Sequence, residues 1–227
     1  MFSFSKQTIL FCACILLMQL ADAQVQFSIA TDVSGLRNFS PQQKFFAFGQ
    51  GVQAEVHVAK KQAIYARVNY HTAGSFSNRF TAAAKDAATV PQQMNYTIKG
   101  QWSFRQVSVG LKQFLRGSFE QETGWSAYGI AGFGLLFAKA ENTLQTAIDT
   151  NVYQLQNVAT VGKDDFKRLT FDIGVGVEYP VAYGFYLYSD IRTWLPISNY
   201  PSTLLHSQNH VPLPLMLQAG MRVLFTL

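Results

Sequence analysis

LQAGMRVLFTL, residues Leu217 to Leu227, alternates: Leu217, Ala219, Met221, Val223, Phe225 and Leu227 fall on one side of an extended chain, with Gln218, Gly220, Arg222 and Thr226 opposite. A period of two marks a half-buried strand. Domain ends are commonly frayed and polar, so an apolar side that runs to the last residue predicts a segment that is itself paired in a sheet.

Seven more segments carry the same signature. Val25 to Thr31 sets Val25, Phe27 and Ile29 against Gln26, Ser28 and Ala30. Phe46 to Val58 sets Phe46, Phe48, Val52, Ala54, Val56 and Val58 against Gly49, Gly51, Gln53, Glu55 and His57, and a tight turn at Ala59-Lys60-Lys61-Gln62 leads to Ile64, Ala66, Val68 and Tyr70 in alternation with Tyr65, Arg67, Asn69 and His71. The fourth, about Gln101 to Phe114, puts Val107, Val109 and Leu111 opposite Gln106, Ser108, Gly110 and Lys112. Trp102 and Phe104 have the other parity, so either a bulge sits near Arg105 or these two rings point inward. The fifth, Trp125 to Ala138, is glycine-rich, and its best facing sends Ala127, Ala131, Phe133, Leu135 and Phe137 outward. Phe171 to Tyr179 and Phe185 to Arg192 complete the set.

The connections sort by length. Those between strands two and three, four and five, and six and seven are short, while the others are long, with Thr72 to Gly100 and Lys139 to Arg168 approaching thirty residues by this reading. Strict alternation of short and long is the up-and-down pattern of a closed barrel with both termini on the short-turn side.

Composition says what surrounds such a barrel. Only 14% of residues are charged, the formal charge is +5, and no run of Lys and Arg marks a nucleic-acid partner. Residues 1–23 read as a cleaved secretory signal: Lys6 supplies the basic start, Ile9 to Leu20 the apolar core and Ala21-Asp22-Ala23 the small-x-small site before Gln24. Both cysteines, Cys12 and Cys14, fall within it, so residues 24–227, the barrel domain, have neither thiol nor disulfide. No later stretch reaches the roughly 18 apolar residues of a spanning helix. An exported, apolar chain without such a helix meets a membrane as a closed barrel. The fold expected is all-β: about eight antiparallel strands in an up-and-down transmembrane barrel, in contact with outer-membrane lipid.

Facing supports this. The side read as outward is nearly free of charge, whereas the other carries Glu55, Arg67, Lys112, Asp172, Glu178, Asp190, Arg192 and Arg222, four of each sign. A water-soluble barrel would have the reverse arrangement. Eight strands enclose just enough room for side chains, so these eight residues are expected to form a polar network that plugs the lumen. Tyr70, Phe137, Tyr179, Phe185 and Phe225 lie near strand ends, where interfacial aromatic belts form.

The signal ending ADAQ, the glycine-rich AYGIAGFGLLF, the pair FDIGVGVEYPVAYGFYLYSDIRTW and the terminal LQAGMRVLF resemble bacterial outer-membrane β-barrels of the porin-family or PorT-like kind, and more distantly the small OmpX and OmpW barrels. The resemblance covers most of the chain after residue 23. It implies residence in the cell outer membrane, delivery to the barrel-insertion machinery through the C-terminal strand, and a place in an envelope or secretion assembly. Such barrels commonly end in an aromatic residue, whereas this chain ends in Leu227 with Phe225 two residues before it.

Chemistry is sparse. His71, His206, Ser207 and His210 near outer strand ends, with Asp149, Asp164 and Asp165 in another loop, have no spacing that ties a nucleophile to a base. His206 and His210 would share a face only in a helix, which Pro201, Pro212 and Pro214 oppose. Gly129, Gly132 and Gly134 precede no helix, so they make no phosphate cradle and read as small residues inside a narrow barrel. No catalytic, metal or cofactor site is expected. The long loops are the best functional surface. They point to a non-enzymatic structural or interaction role with a protein partner at loops or turns. Passage of a small or apolar solute, porin-like or by lateral opening, is the alternative, followed by a lipid-modifying enzyme.

Overall fold

A computed structural model describes residues 26–40, 42–155, 160–197 and 213–225. Every regular element in them is a strand: β1 (Gln26–Asn38), β2 (Phe45–Ala59), β3 (Gln62–Ala84), β4 (Gln93–Arg116), β5 (Ser126–Leu144), β6 (Tyr153–Leu155), β7 (Gly162–Ala182), β8 (Phe185–Pro196) and β9 (Pro214–Phe225). Eight of them form the wall, each antiparallel to its neighbours, and β1 pairs with β9 to close the ring. The alternating segment that opens at Leu217 is thereby paired on both sides, with β8 and with β1. Closure matters because an open edge in lipid would leave backbone donors and acceptors without partners.

The registers fix the shape of the ring. A hydrogen-bonded row leaves β7 at Lys167 and passes through Phe137, Arg105, Tyr70, Gln50, Val33, Ala219 and Ser189, returning to β7 at Val177. That displacement of ten residues over eight strands is the stagger that accompanies strands tilted by roughly 35–45°. At one end, the turn end, lie the connections at 60–61, 117–125 and 183–184. The opposite, loop end carries 39–40, 42–44, 85–92, 145–152 and 160–161.

The wall is lopsided. β3, β4, β5 and β7 run 19 to 24 residues, against 12 to 15 for β1, β2, β8 and β9. This corrects the expectation of two connections near thirty residues. Most of 72–100 and 139–168 is strand, in which Ala83 still pairs with Gln93 and Asn142 with Gly162. The first outer connection is also short, because β1 continues past Thr31 to Asn38. These continuations escape a search for apolar-out alternation because their outward residues, such as Ser75, Ser77, Thr97 and Lys99, are polar.

Two facing questions are settled by burial. β4 keeps a single parity from Tyr96 to Phe114, so Trp102 and Phe104 point inward, and the irregularity lies across the ladder in β3 between His71 and Gly74. In β5, Ala131, Phe133 and Leu135 face outward as read from the pattern. Gly129 faces outward too, with nothing near the place a Cβ would occupy, whereas Gly132 faces in. A Cβ on Gly132 would stand 2.5 Å from the Val109 carbonyl and 2.6 Å from the Tyr65 hydroxyl, and Gly110, its cross-strand partner, is similarly crowded. Glycine here lets the Tyr65 ring lie against the wall.

Candidate functional site

The pleat sends alternate residues into the lumen, and at the turn end those residues form an alternating chain of charge. Lys112 of β4 lies between two carboxylates, its Nζ 3.1 Å from Glu55 Oε1 and 3.1 Å from Glu178 Oε2. Arg222 of β9 completes the chain, with Nη2 2.6 Å from Glu178 Oε1. Its Nη1 donates to Ser28 Oγ at 2.9 Å and its Nη2 to the Phe119 carbonyl at 2.8 Å. All four charged residues are 3% exposed or less. Charges so deeply buried persist only when paired and fully hydrogen-bonded. The Lys112 ammonium also lies 4.2 Å from the Tyr128 ring centroid, an added cation–π contact.

A second tier lies nearer the loop end. Arg67 donates through Nη2 to Asp32 at 2.8 Å and through Nε to Asn69 Oδ1 at 2.6 Å, and Tyr188 donates its hydroxyl to Asp32 Oδ2 at 2.7 Å. Arg192 binds Asp190 with two bonds, of 3.1 and 2.8 Å, and Tyr128 donates to the same carboxylate. Asp172 is different, since it accepts from the neutral donors Gln106 and Thr170. The eight residues read as inward from the sequence are all buried against the lumen, joined by Asp32 and Arg168, which makes five acids and five bases among the described residues. Asp32 lies one residue beyond the alternating segment Val25 to Thr31, in the part of β1 that continues to Asn38. Continuing the alternation through Val33, Gly35 and Arg37 places it inside.

Rings pack at both ends of this polar interior. At the turn end the 117–125 connection folds inward, and Phe119 stacks on His57 with centroids 4.0 Å apart. Toward the loop end, Leu36, Phe45, Trp102, Phe104, Leu136, Trp194 and Met216 pack as a continuous apolar layer with Phe76 and Phe166. The described lumen therefore contains two tiers of buried charge, paired except at Asp172, between apolar layers.

Among the described residues, the hydrolytic candidates do not converge. His71 points into the lumen, not to an open rim, with Nε2 3.1 Å from Ser34 Oγ and its ring edge-on to Trp194. Asp164 and Asp165 sit on the loop-end part of β7, and Asp149 accepts from the Asn151 backbone in a connection. His206, Ser207 and His210 lie outside the described residues. A second buried pair, Ser28 Oγ and His57 Nε2 at 2.6 Å, has its nearest carboxylate, Glu55, on that same nitrogen at 3.9 Å. An activated nucleophile needs the orienting group on the other ring nitrogen and access for substrate. Among the described residues, no cluster of three His, Cys, Asp or Glu is placed to hold a metal ion.

At the loop end the polarity of the wall reverses. Ala82, Tyr96, Ile98 and Tyr153 are buried together, with Phe80, Met94, Leu144 and Leu155 packed against them. The short β6 bonds to the tip of β3, Ala82 to Leu155 and Ala84 to Tyr153, and the Tyr153 hydroxyl donates to the Pro91 carbonyl at 3.0 Å. The result is an ordered extension, a four-stranded sheet with a clasp. Of the aromatic residues assigned to belts, Tyr70 and Phe137 lie at the base of this extension, and Tyr179, Phe185 and Phe225 lie toward the turn end.

The sequence matches the family model of the outer membrane protein beta-barrel domain over residues 8–205. No curated protein matches it. Among solved structures it is similar to Neisserial surface protein A, with a TM-score of 0.53 at 11% identity over 87% of this chain and 96% of that one. OprG of Pseudomonas aeruginosa gives 0.49 at 10% over 89% and 97%, and the attachment invasion locus protein Ail of Yersinia pestis 0.48 at 12% over 89% and 100%. Identities this low speak for the fold alone.

Proposed function

We propose a role that starts from one premise, that the chain belongs to the outer membrane protein beta-barrel family, whose place is the cell outer membrane: it is a non-enzymatic barrel that presents its loop-end extension to a protein partner. The observation that carries this is the contrast between a lumen filled with buried charge and an ordered sheet in which β3, β4, β5 and β7 run on past the ends of the shorter strands. A conduit has no use for buried ion pairs between two apolar plugs, whereas a rigid, water-facing sheet is a good platform for contact. Membership of an envelope or secretion assembly, as the PorT resemblance implies, belongs to the same proposal. So does export by residues 1–23, for which the intact mass of the membrane-extracted protein should correspond to a chain beginning at Gln24.

The test is photo-crosslinking in the native membrane. A photoreactive residue at Arg79 or Thr97, both on the outward side of the extension, should join the barrel to one protein, and the same probe at Lys60 in the turn-end hairpin should not. Crosslinks equal at all three positions, or none from the extension, would defeat the reading.

A further inference from the structure

Where the outward face changes from apolar to polar, one hydrogen-bonded row crosses the tall side of the wall: Tyr70 of β3, Arg105 of β4, Phe137 of β5 and Lys167 of β7 are partners in turn. All four side chains point away from the lumen. The Arg105 guanidinium is 5.5 Å from the Tyr70 ring centroid, and the Lys167 ammonium 5.7 Å from that of Phe137. Lys139, one outward step along β5, adds a third cation, whose exposed partner Asp165 is 3.8 Å away. Among the described residues no carboxylate is within ion-pair distance of Arg105 or Lys167.

Arg105, Phe137, Lys139 and Lys167 line a cleft of about 390 Å³, whose walls also include Val68, Val107 and the Asp165 carboxylate that faces Lys139. Immediately below it the next outward row is Val107, Leu135 and Leu169, and the one after is Val109, Phe133 and Phe171. The cations thus stand on the last step above a continuous apolar band. Basic residues are tolerated at an interface and expensive at the midplane, so this row marks headgroup level. The short side is poorer in charge: the outward faces of β2, β8 and β9 carry no Asp, Glu, Lys or Arg, and that of β1 carries the single cation Arg37, 5.2 Å from the Phe39 ring centroid.

We propose that this cleft binds the phosphate-bearing headgroup of a lipid in the leaflet at the loop end. Arg105 presents its planar donors to phosphate oxygens and Lys167 adds a point charge, roughly 10 Å away across two strand spacings. The ring beside each cation restrains it, and the acyl chains descend over Val107, Leu135 and Leu169. Positive charge above, apolar surface below and the leaflet boundary between them favour a lipid over a soluble anion. Unlike docking at the extension, this depends only on the membrane setting of the barrel.

Native mass spectrometry of the full-length barrel in detergent micelles tests it, with diphosphoryl lipid A as probe and the dephosphorylated lipid and inorganic phosphate as separate arms. The expected result is one lipid retained at least tenfold more tightly than its dephosphorylated form, with no displacement by equimolar inorganic phosphate. Arg105→Gln with Lys167→Gln should weaken retention at least tenfold, and Lys60→Gln with Lys61→Gln should leave it unchanged. If the first pair loses the resistance of a folded barrel to detergent denaturation, Lys139→Gln with Lys167→Gln takes its place. Equal retention of both lipids, an unaffected cation variant, or displacement by inorganic phosphate would overturn the proposal, the last by assigning the cleft to a free anion.

Discussion

β4 crosses from one region of the molecule to the other without a break, and the two stretches invert each other. Toward the turn end it sends Val107, Val109 and Leu111 out and Gln106, Ser108 and Lys112 in, whereas toward the loop end it sends Thr97, Lys99 and Gln101 out and Tyr96, Ile98 and Trp102 in. The pleat is the same in both. Only the medium on either side differs: lipid outside and paired charge inside for the first, water outside and an apolar core for the second. In β4 the pattern flips at Arg105, the member this strand contributes to the row from Tyr70 to Lys167, which is where the proposed lipid headgroup would lie.

The inversion can be broken most severely in the lumen. Arg222→Leu strands Glu178, which keeps only Lys112, and removes the contacts to Ser28 and the Phe119 carbonyl. Breaking one member of a buried ion pair costs about 3–5 kcal/mol, which should lower the denaturant midpoint of the barrel in micelles accordingly. Outside the wall the effect is smaller and depends on height. Val109→Arg puts a charge in the outward apolar band and should cost about 2–4 kcal/mol. Thr97→Arg, outward on the same strand above the boundary, should stay within about 0.5 kcal/mol. Equal costs for these two would mean that both positions share one medium.

The smallest global effect should come from Tyr96→Ala. It opens the core formed with Ala82, Ile98 and Tyr153, yet this core lies beyond the ring of eight strands. Amide exchange in 79–98 should accelerate tenfold or more while exchange in β1 and β9 is unchanged, as expected for a locally cooperative unit. Acceleration throughout the wall would join the two regions into one.

The same inversion explains what the sequence makes legible. Along the apolar band, as at Val52, Val56, Leu187 and Met221, apolar-out alternation is strong, and it locates the eight wall strands and eight of the ten buried charged residues of the lumen, missing Asp32 and Arg168. Past the boundary the alternation continues in Phe76, Phe80 and Ala82 with the opposite sense, shifted by the irregularity at Thr72 and Ala73, so the continuation looks like loop. The pairing of Asp32 with Arg67, and the return of Phe119 over His57, join residues 35 and 62 positions apart. No local pattern encodes such distances, and only the registers of the intervening strands bring these side chains together.

The central claim is that the interior is closed by paired charge between apolar plugs and that the molecule works from its outside. Conductance of the purified full-length protein in a planar lipid bilayer tests this most directly. The account predicts no stepwise openings for the unmodified barrel across voltage. Discrete single-channel steps from that same protein would contradict it.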